Sequence, residues 1–317
     1  MRITDTPRVL DVAPNDLAVL TAITAPRGRG AVAAGPAATL TNELFHRLPS
    51  AIDQDAPVLA LAALATGTDA VRAEQLARRI HAGLKGAIDE QAAWVAASAL
   101  VAGVDAQKAI DVANDVYSNV YYRMDSQSHV LAMGALVSGR SGVEAALMAN
   151  AVRDGLRLDM KDTAPVVAVA AMLGATDARS AVDQLHALYD TTHGAIREAS
   201  HVVALASFPR RMGADQAAQV ANDTYSNMDL AIDDYAPVVA MGAIMANVTG
   251  TEAARVANVA HTQLRSAIEE QAAWVAVASM RGGVSATAAS ALTNDLYLEL
   301  RAGLDEHAAV VAIGALS

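Results

Sequence analysis

The chain has 317 residues, no cysteine and a formal net charge of -11. That excludes disulfides, thiol catalysis and cysteine-bound metal, and it argues against nucleic acid, whose phosphates need clustered Lys and Arg. Hydrophobic residues make up 53% and aromatics 3%, so the core has to be built from Ala, Val, Leu and Met, with helices approaching over small side chains.

The first residues, MRITDTPRVLDVAP, carry no apolar stretch of the signal-peptide kind. Asp16 to Thr24, DLAVLTAIT, reads as a buried helix, followed by the loop PRGRG at 26–30. Residues 1–34 are therefore expected to be an N-terminal half-repeat and loop. From 35 to 317 the chain repeats every 36 residues, as eight tandem copies in a single continuous domain. Pro57, Ala93, His129, Pro165, His201, Pro237, Ala273 and Ala309 occupy one column. Three residues on, every copy has alanine, from Ala60 to Ala312. Periods of 20 to 50 residues signify solenoids or closed rings.

Each copy predicts two helices. In the first, helix A, an apolar stripe recurs at steps of three and four, as in Ala73, Leu76, Ile80 and Leu84. A capping column precedes it: Asp69, Asp105, Ser141, Asp177, Thr249 and Ser285. A short acidic junction follows. The second helix, B, is apolar all round, as in VLALAAL at 58–64 and VVAVAAM at 166–172, and is expected to be buried all round. Pro57, Pro165 and Pro237 fall in its first turn, where a missing N–H costs little. Gly67, Gly103, Gly139 and Gly283 stand where a left-handed stop is expected. Copies one to three also resemble copies six to eight at an offset of 180 residues, AIDEQAAWVA at 87–96 against AIEEQAAWVA at 267–276.

The pattern resembles αα-hairpin solenoids and α/α toroids as a class. It does not meet the Trp, Gly, Tyr and Pro spacing of tetratricopeptide repeats. The expected fold is all-α, eight hairpins in a right-handed α-solenoid, with a closed α/α toroid as the alternative. The apolar helix Ala308 to Leu316 has no polar capping helix after it, and open arrays need such caps. Either the last copy closes onto the first, or the end is buried in a homo-oligomer.

No Gly-rich phosphate loop, GxSxG, HExxH or Asp-rich metal motif is present. Catalytic, cofactor and metal residues are accordingly none. Candidate ligand or partner residues cluster at the starts of the B helices: Asp55, Gln91, Trp94, Gln127, His129, His201, Tyr235, Trp274 and His307. Trp94 and Trp274 read as core by default and as anchors if they face a groove. The acidic junctions, Asp53 to Glu306, read as helix capping and dipole complements or as a strip for a basic partner. Asparagine, poor inside helices, recurs at 42, 114, 150, 222, 258 and 294, with an aromatic residue three positions on in several copies. It reads as a ladder bonding neighbouring hairpins, or as a row that could hold an extended peptide.

The leading functional expectation is a non-catalytic scaffold binding a protein or peptide partner, without nucleic acid, membrane span or cofactor, in the cytoplasm. The alternatives are a toroid with a small-molecule or enzyme site at the B-helix starts, and a structural protein that assembles through uncapped ends.

Overall fold

The computed structural model describes residues 14–24 and 31–317. The first thirteen residues and the loop at 26–30 lie outside them. Among the described residues there are seventeen α-helices and no strand. Helix α1 (Pro14–Ile23) comes first. Sixteen helices follow in alternation: α2 (Ala34–Arg47) and α3 (Ala56–Thr66), α4 (Ala70–Gly83) and α5 (Ala92–Ala102), α6 (Ala106–Asn119) and α7 (Ser128–Ser138), α8 (Gly142–Gly155) and α9 (Ala164–Gly174), α10 (Ala178–Thr191) and α11 (Ser200–Ser207), α12 (Ala214–Asn227) and α13 (Ala236–Ala246), α14 (Gly250–Gln263) and α15 (Ala272–Gly282), α16 (Ala286–Glu299) and α17 (Ala308–Leu316). The even helices are the expected A helices, and the odd ones from α3 onward are the B helices.

The capping column starts the A helices. Asp69, Asp105 and Asp177 accept backbone N–H bonds of 2.8, 2.9 and 2.9 Å from three residues on. Ser141 and Glu144 form a reciprocal capping box. A 3-10 turn, such as Asp53–Asp55 or Asp89–Gln91, then leads into each B helix. The residue before each B helix makes no side-chain cap bond. Of these eight residues only Asp55 is a carboxylate; within the turns Asp125 accepts from the Ser126 N–H (2.8 Å) and Asp305 from the Gly303 N–H (3.0 Å). The B helices stop at left-handed residues, Gly67, Gly103, Gly139 and Gly283 as expected, and also at Ala175 and Asn247. Helix α11 is shorter than the rest: Pro209 follows Phe208, and Arg211 takes the left-handed conformation.

Packing follows the repeat. Each A helix touches the next A helix and each B helix the next B helix. The alanines from Ala60 to Ala312 are fully buried in every copy, and B-helix neighbours meet over them. The asparagines tie one hairpin to the previous one. Asn114 donates to the Gly83 carbonyl (3.0 Å) and accepts from the Lys85 N–H (3.0 Å). Asn150, Asn222, Asn258 and Asn294 repeat this at the same two offsets. In the two copies without asparagine, Arg78 donates to the Arg47 carbonyl and His186 accepts from the Arg157 N–H at 3.3 Å. The ladder expected from the sequence is present.

The last hairpin packs on the first. Helix α17 packs against α3, and α16 against α2. Asn42 bonds the Glu299 carbonyl (3.1 Å) and the Arg301 N–H (3.0 Å), the geometry of every other rung. At the same junction Gly314 lies so close to α3 that a Cβ there would sit 2.5 Å from the Leu61 Cα; only glycine permits this approach. Helix α1 does not stack beside α3, where α17 lies; it rests against α5, α7, α9 and α11.

Candidate functional site

The B helices begin on one side of the molecule, and α1 runs beside them in the same direction. Its first turn meets the start of α7: the Asp16 carboxylate accepts from His129 Nε2 at 2.8 Å. Its last turn meets the end of α15, where Arg281 donates to the Thr21 carbonyl and, at 3.4 Å, to Thr24 Oγ1. Between these contacts Leu17, Ala18, Val19, Leu20 and Thr21 are fully buried. Burying each large aliphatic side chain contributes about 1.5–3 kcal/mol. The helix is apolar on every side because protein surrounds it.

Three expected residues come together at the α1 start. The Trp94 indole N–H donates to the Asp55 carboxylate. The Trp94 ring lies 6.3 Å, centroid to centroid, from the His129 ring, and His129 reaches Asp16. Asp55 is pushed up to about 6 by burial, against the pull of the Trp94 hydrogen bond and the nearby His129. Two carboxylates, Asp16 and Asp55, thus share one imidazole and one indole.

The remaining expected residues lie elsewhere around the same rim. Beside them Gln271, which was not a candidate but holds the place of Gln91 180 residues on, is buried; its amide donates to the Glu306 carbonyl (2.6 Å) and its oxygen accepts from the Ala309 N–H (3.1 Å). Gln91 donates to the Ser126 carbonyl at 3.2 Å, the same bond one hairpin forward. Both glutamines are therefore junction pins. His307 is buried beside the Gln271 bonds. Gln127 is half-buried, and so is Tyr235, whose hydroxyl is pushed up by burial first and by Glu270 and Asp234 next. His201 is buried, its Nδ1 donating to the Glu198 carbonyl at 3.1 Å, and burial pushes it down to about 4. It borders a cleft of about 260 Å3 with Asp159, Thr163, Tyr189, Arg197 and Ser200. Trp274 is 1% exposed and Trp94 6%; both are core, and neither is an anchor in a groove.

Two further residues of this region were not singled out from the sequence. Asp16 leads an apolar run, and Arg281 stands in a column otherwise filled by Ala65, Val101, Val137, Leu173, Pro209, Met245 and Ser317. A cation in that column was the available signal. Burial pushes the Arg281 guanidinium down to about 10, and among the described residues no carboxylate balances it. Among the same residues its Nε and Nη2 have no hydrogen-bond partner, nor do Thr21 Oγ1 and His129 Nδ1.

Among the described residues, no group of three or more His, Cys, Asp or Glu is placed to hold a metal ion, and no single helix is long and apolar enough to cross a membrane. Comparison with protein-family models, with curated proteins and with solved structures finds no match to the chain.

Proposed function

We propose that the chain is a closed α/α ring of eight hairpins, and that it works as a non-catalytic binding module for a protein partner on the face that carries the A-to-B turns. The closed ring is supported by the Asn42 rung and by the seating of Gly314 on Leu61. The binding reading is carried by one observation. Tyr122, Leu158 and Leu230 share a single repeat column on the turns and are 87%, 85% and 90% exposed. Large apolar side chains held in water at equivalent places suit a partner interface. The acidic residues of the same turns, among them Asp125, Asp162, Asp233 and Asp234, favour a partner whose apolar contact is ringed by Lys and Arg.

An enzyme at the B-helix starts draws less support. Leu17, Val19 and Leu20 fill the interior where a substrate would sit, and the cleft beside His201 is small against the usual 300–1,000 Å3, roughly, of ligand sites. Assembly through bare ends draws none, because α3 and α17 cover each other.

The test places a photo-crosslinking residue at Leu158, and separately at Arg255 on the outer surface of α14, in the protein expressed in its own cell. A partner captured from 158 and not from 255, and lost in a Tyr122→Ser, Leu230→Ser background, is the expected result. Equal capture from both positions would remove the turn face from the reading. X-ray scattering tests the ring separately: an elongated particle would exclude it.

A further inference from the structure

We propose that the groove holding α1 is a binding site for the C-terminal helix of a partner protein, which enters in exchange for α1: an apolar segment with a carboxylate near its start and a free carboxylate at its end. This rests on the closed ring proposed above, and not on the exposed turn residues.

Four observations converge. First, the hairpins close on one another through α2, α3, α16 and α17, while α1 touches none of the seam bonds at Asn42 and Gly314. The ring therefore has a seam that does not depend on its occupant. Second, the polar contacts at the two ends of α1 set a direction. A carboxylate faces His129 at the turn side, and the helix's last carbonyls face Arg281 at the other. Third, α1 uses only part of what the groove offers. The Arg281 side chain is buried, yet among the described residues only Nη1 is engaged, by a carbonyl and a distant hydroxyl; Nε and Nη2 are unpartnered, as is His129 Nδ1. A guanidinium with two free N–H groups is the natural partner of a carboxylate, which it holds by paired bonds. Fourth, α1 cannot supply that carboxylate. Its chain continues toward α2, where the Val32 N–H bonds the Ala315 carbonyl on the side of the B-helix ends.

A segment that ended at the place of Thr24 would put its terminal carboxylate against Arg281. It would enter tip first from the turn face, with its parent protein outside that face.

The experiment uses the full-length chain carrying Leu17→Ala and Leu20→Ala, which loosen α1 without touching the ring. A labelled peptide of residues 16–24 is made with a free C-terminal carboxylate and with an amide, and binding is followed by fluorescence anisotropy. The free acid is expected to bind about tenfold more tightly than the amide, since a carboxylate adds an opposite charge and a paired bond where the amide offers one neutral acceptor, and Arg281→Met should erase the difference. Equal affinities, or no binding by a variant that keeps its helical circular dichroism, would overturn the proposal. Unfolding of the double variant would also overturn it, because α1 would then be obligatory core. Hydrogen exchange on the unaltered chain gives an independent reading. Amides of 18–23 are expected to exchange at least about tenfold faster than those of α7 and α15, as for a locally opening unit; equal protection would make α1 a fixed part of the fold.

Discussion

Trp94 and Trp274 stand 180 residues apart at the same place in the repeat, and both are buried, yet their neighbourhoods are opposites. Around Trp94 the equivalent positions hold Asp55, Gln91 and His129; around Trp274 they hold Tyr235, Gln271 and Ala309. The first set is charged and tied to Asp16 of α1. The second is neutral and closed by the Gln271 bonds to the following turn. Helix α1 is seated by its carboxylate on the first copy and not on the second.

The strongest test of that contrast removes the indoles. Trp94→Ala and Trp274→Ala should each cost about 3–5 kcal/mol in chemical denaturation, as large core truncations do. Only Trp94→Ala should also alter the pH profile. Losing the indole N–H removes a bond that lowers the Asp55 pKa, so the pH range in which stability falls should extend upward. The same profile in both variants would show that the two neighbourhoods do not differ electrostatically.

The next effect comes from Asp55 itself. Its folded pKa of about 6 lies above the ordinary 3.8. Its contribution is therefore complete below the unfolded value and is lost as pH rises through 6. His201 has the opposite sign: pushed down to about 4 from 6.5, it stabilises above 6.5, and that is lost as pH falls through 4. The two slopes oppose each other between roughly pH 4 and 6. Asp55→Asn should raise stability at pH 8 by up to about 3 kcal/mol, because about two pH units of displacement correspond to that much. It should also expose the His201 slope, so that stability climbs steadily from pH 4 to 6.5. A flat profile in the variant would remove the balance.

The smallest effect lies at the far ends of the B helices. The two copies that carry Trp94 and Trp274 stop at Gly103 and Gly283, whereas the intervening α9 stops at Ala175 with φ of 52°. Ala175→Gly should raise stability by about 1 kcal/mol, since a left-handed conformation costs a residue with a Cβ roughly that much. Gly103→Ala should lower it by a similar amount. A thermal melt that moves in neither case would mean the stops are not held in this conformation.

How far the sequence could be read depends on the range of the contact. The caps at Asp69 and Ser141, the stops at Gly67 and Gly103 and the asparagine rungs were legible because each involves one column and its nearest repeat. The burial of both tryptophans was legible as their default. The packing of α17 on α3 was legible only as one of two alternatives, because nothing in the periodicity tells α17 whether its neighbour is α3 or solvent; that depends on rotation per hairpin, which no single residue encodes. The place of α1 was missed for a related reason. DLAVLTAIT has the composition of a B helix, and composition reports that a helix is surrounded without reporting by what.

The rung at Asn42 has a consequence for how many hairpins the molecule can hold. Its two bonds, 3.1 and 3.0 Å, match the 3.0 and 3.0 Å of the rung at Asn258, so the junction of α16 with α2 carries no stretched link. In the eight-hairpin ring proposed above each hairpin would turn the chain by roughly 45°, and in solenoids that per-repeat rotation fixes curvature. Inserting a ninth copy would require roughly 40° at every junction, and deleting one roughly 51°. All the asparagine pairs would have to tilt together. Open arrays lengthen or shorten freely; in the proposed ring a change in copy number would have to be accommodated at every junction or broken at one.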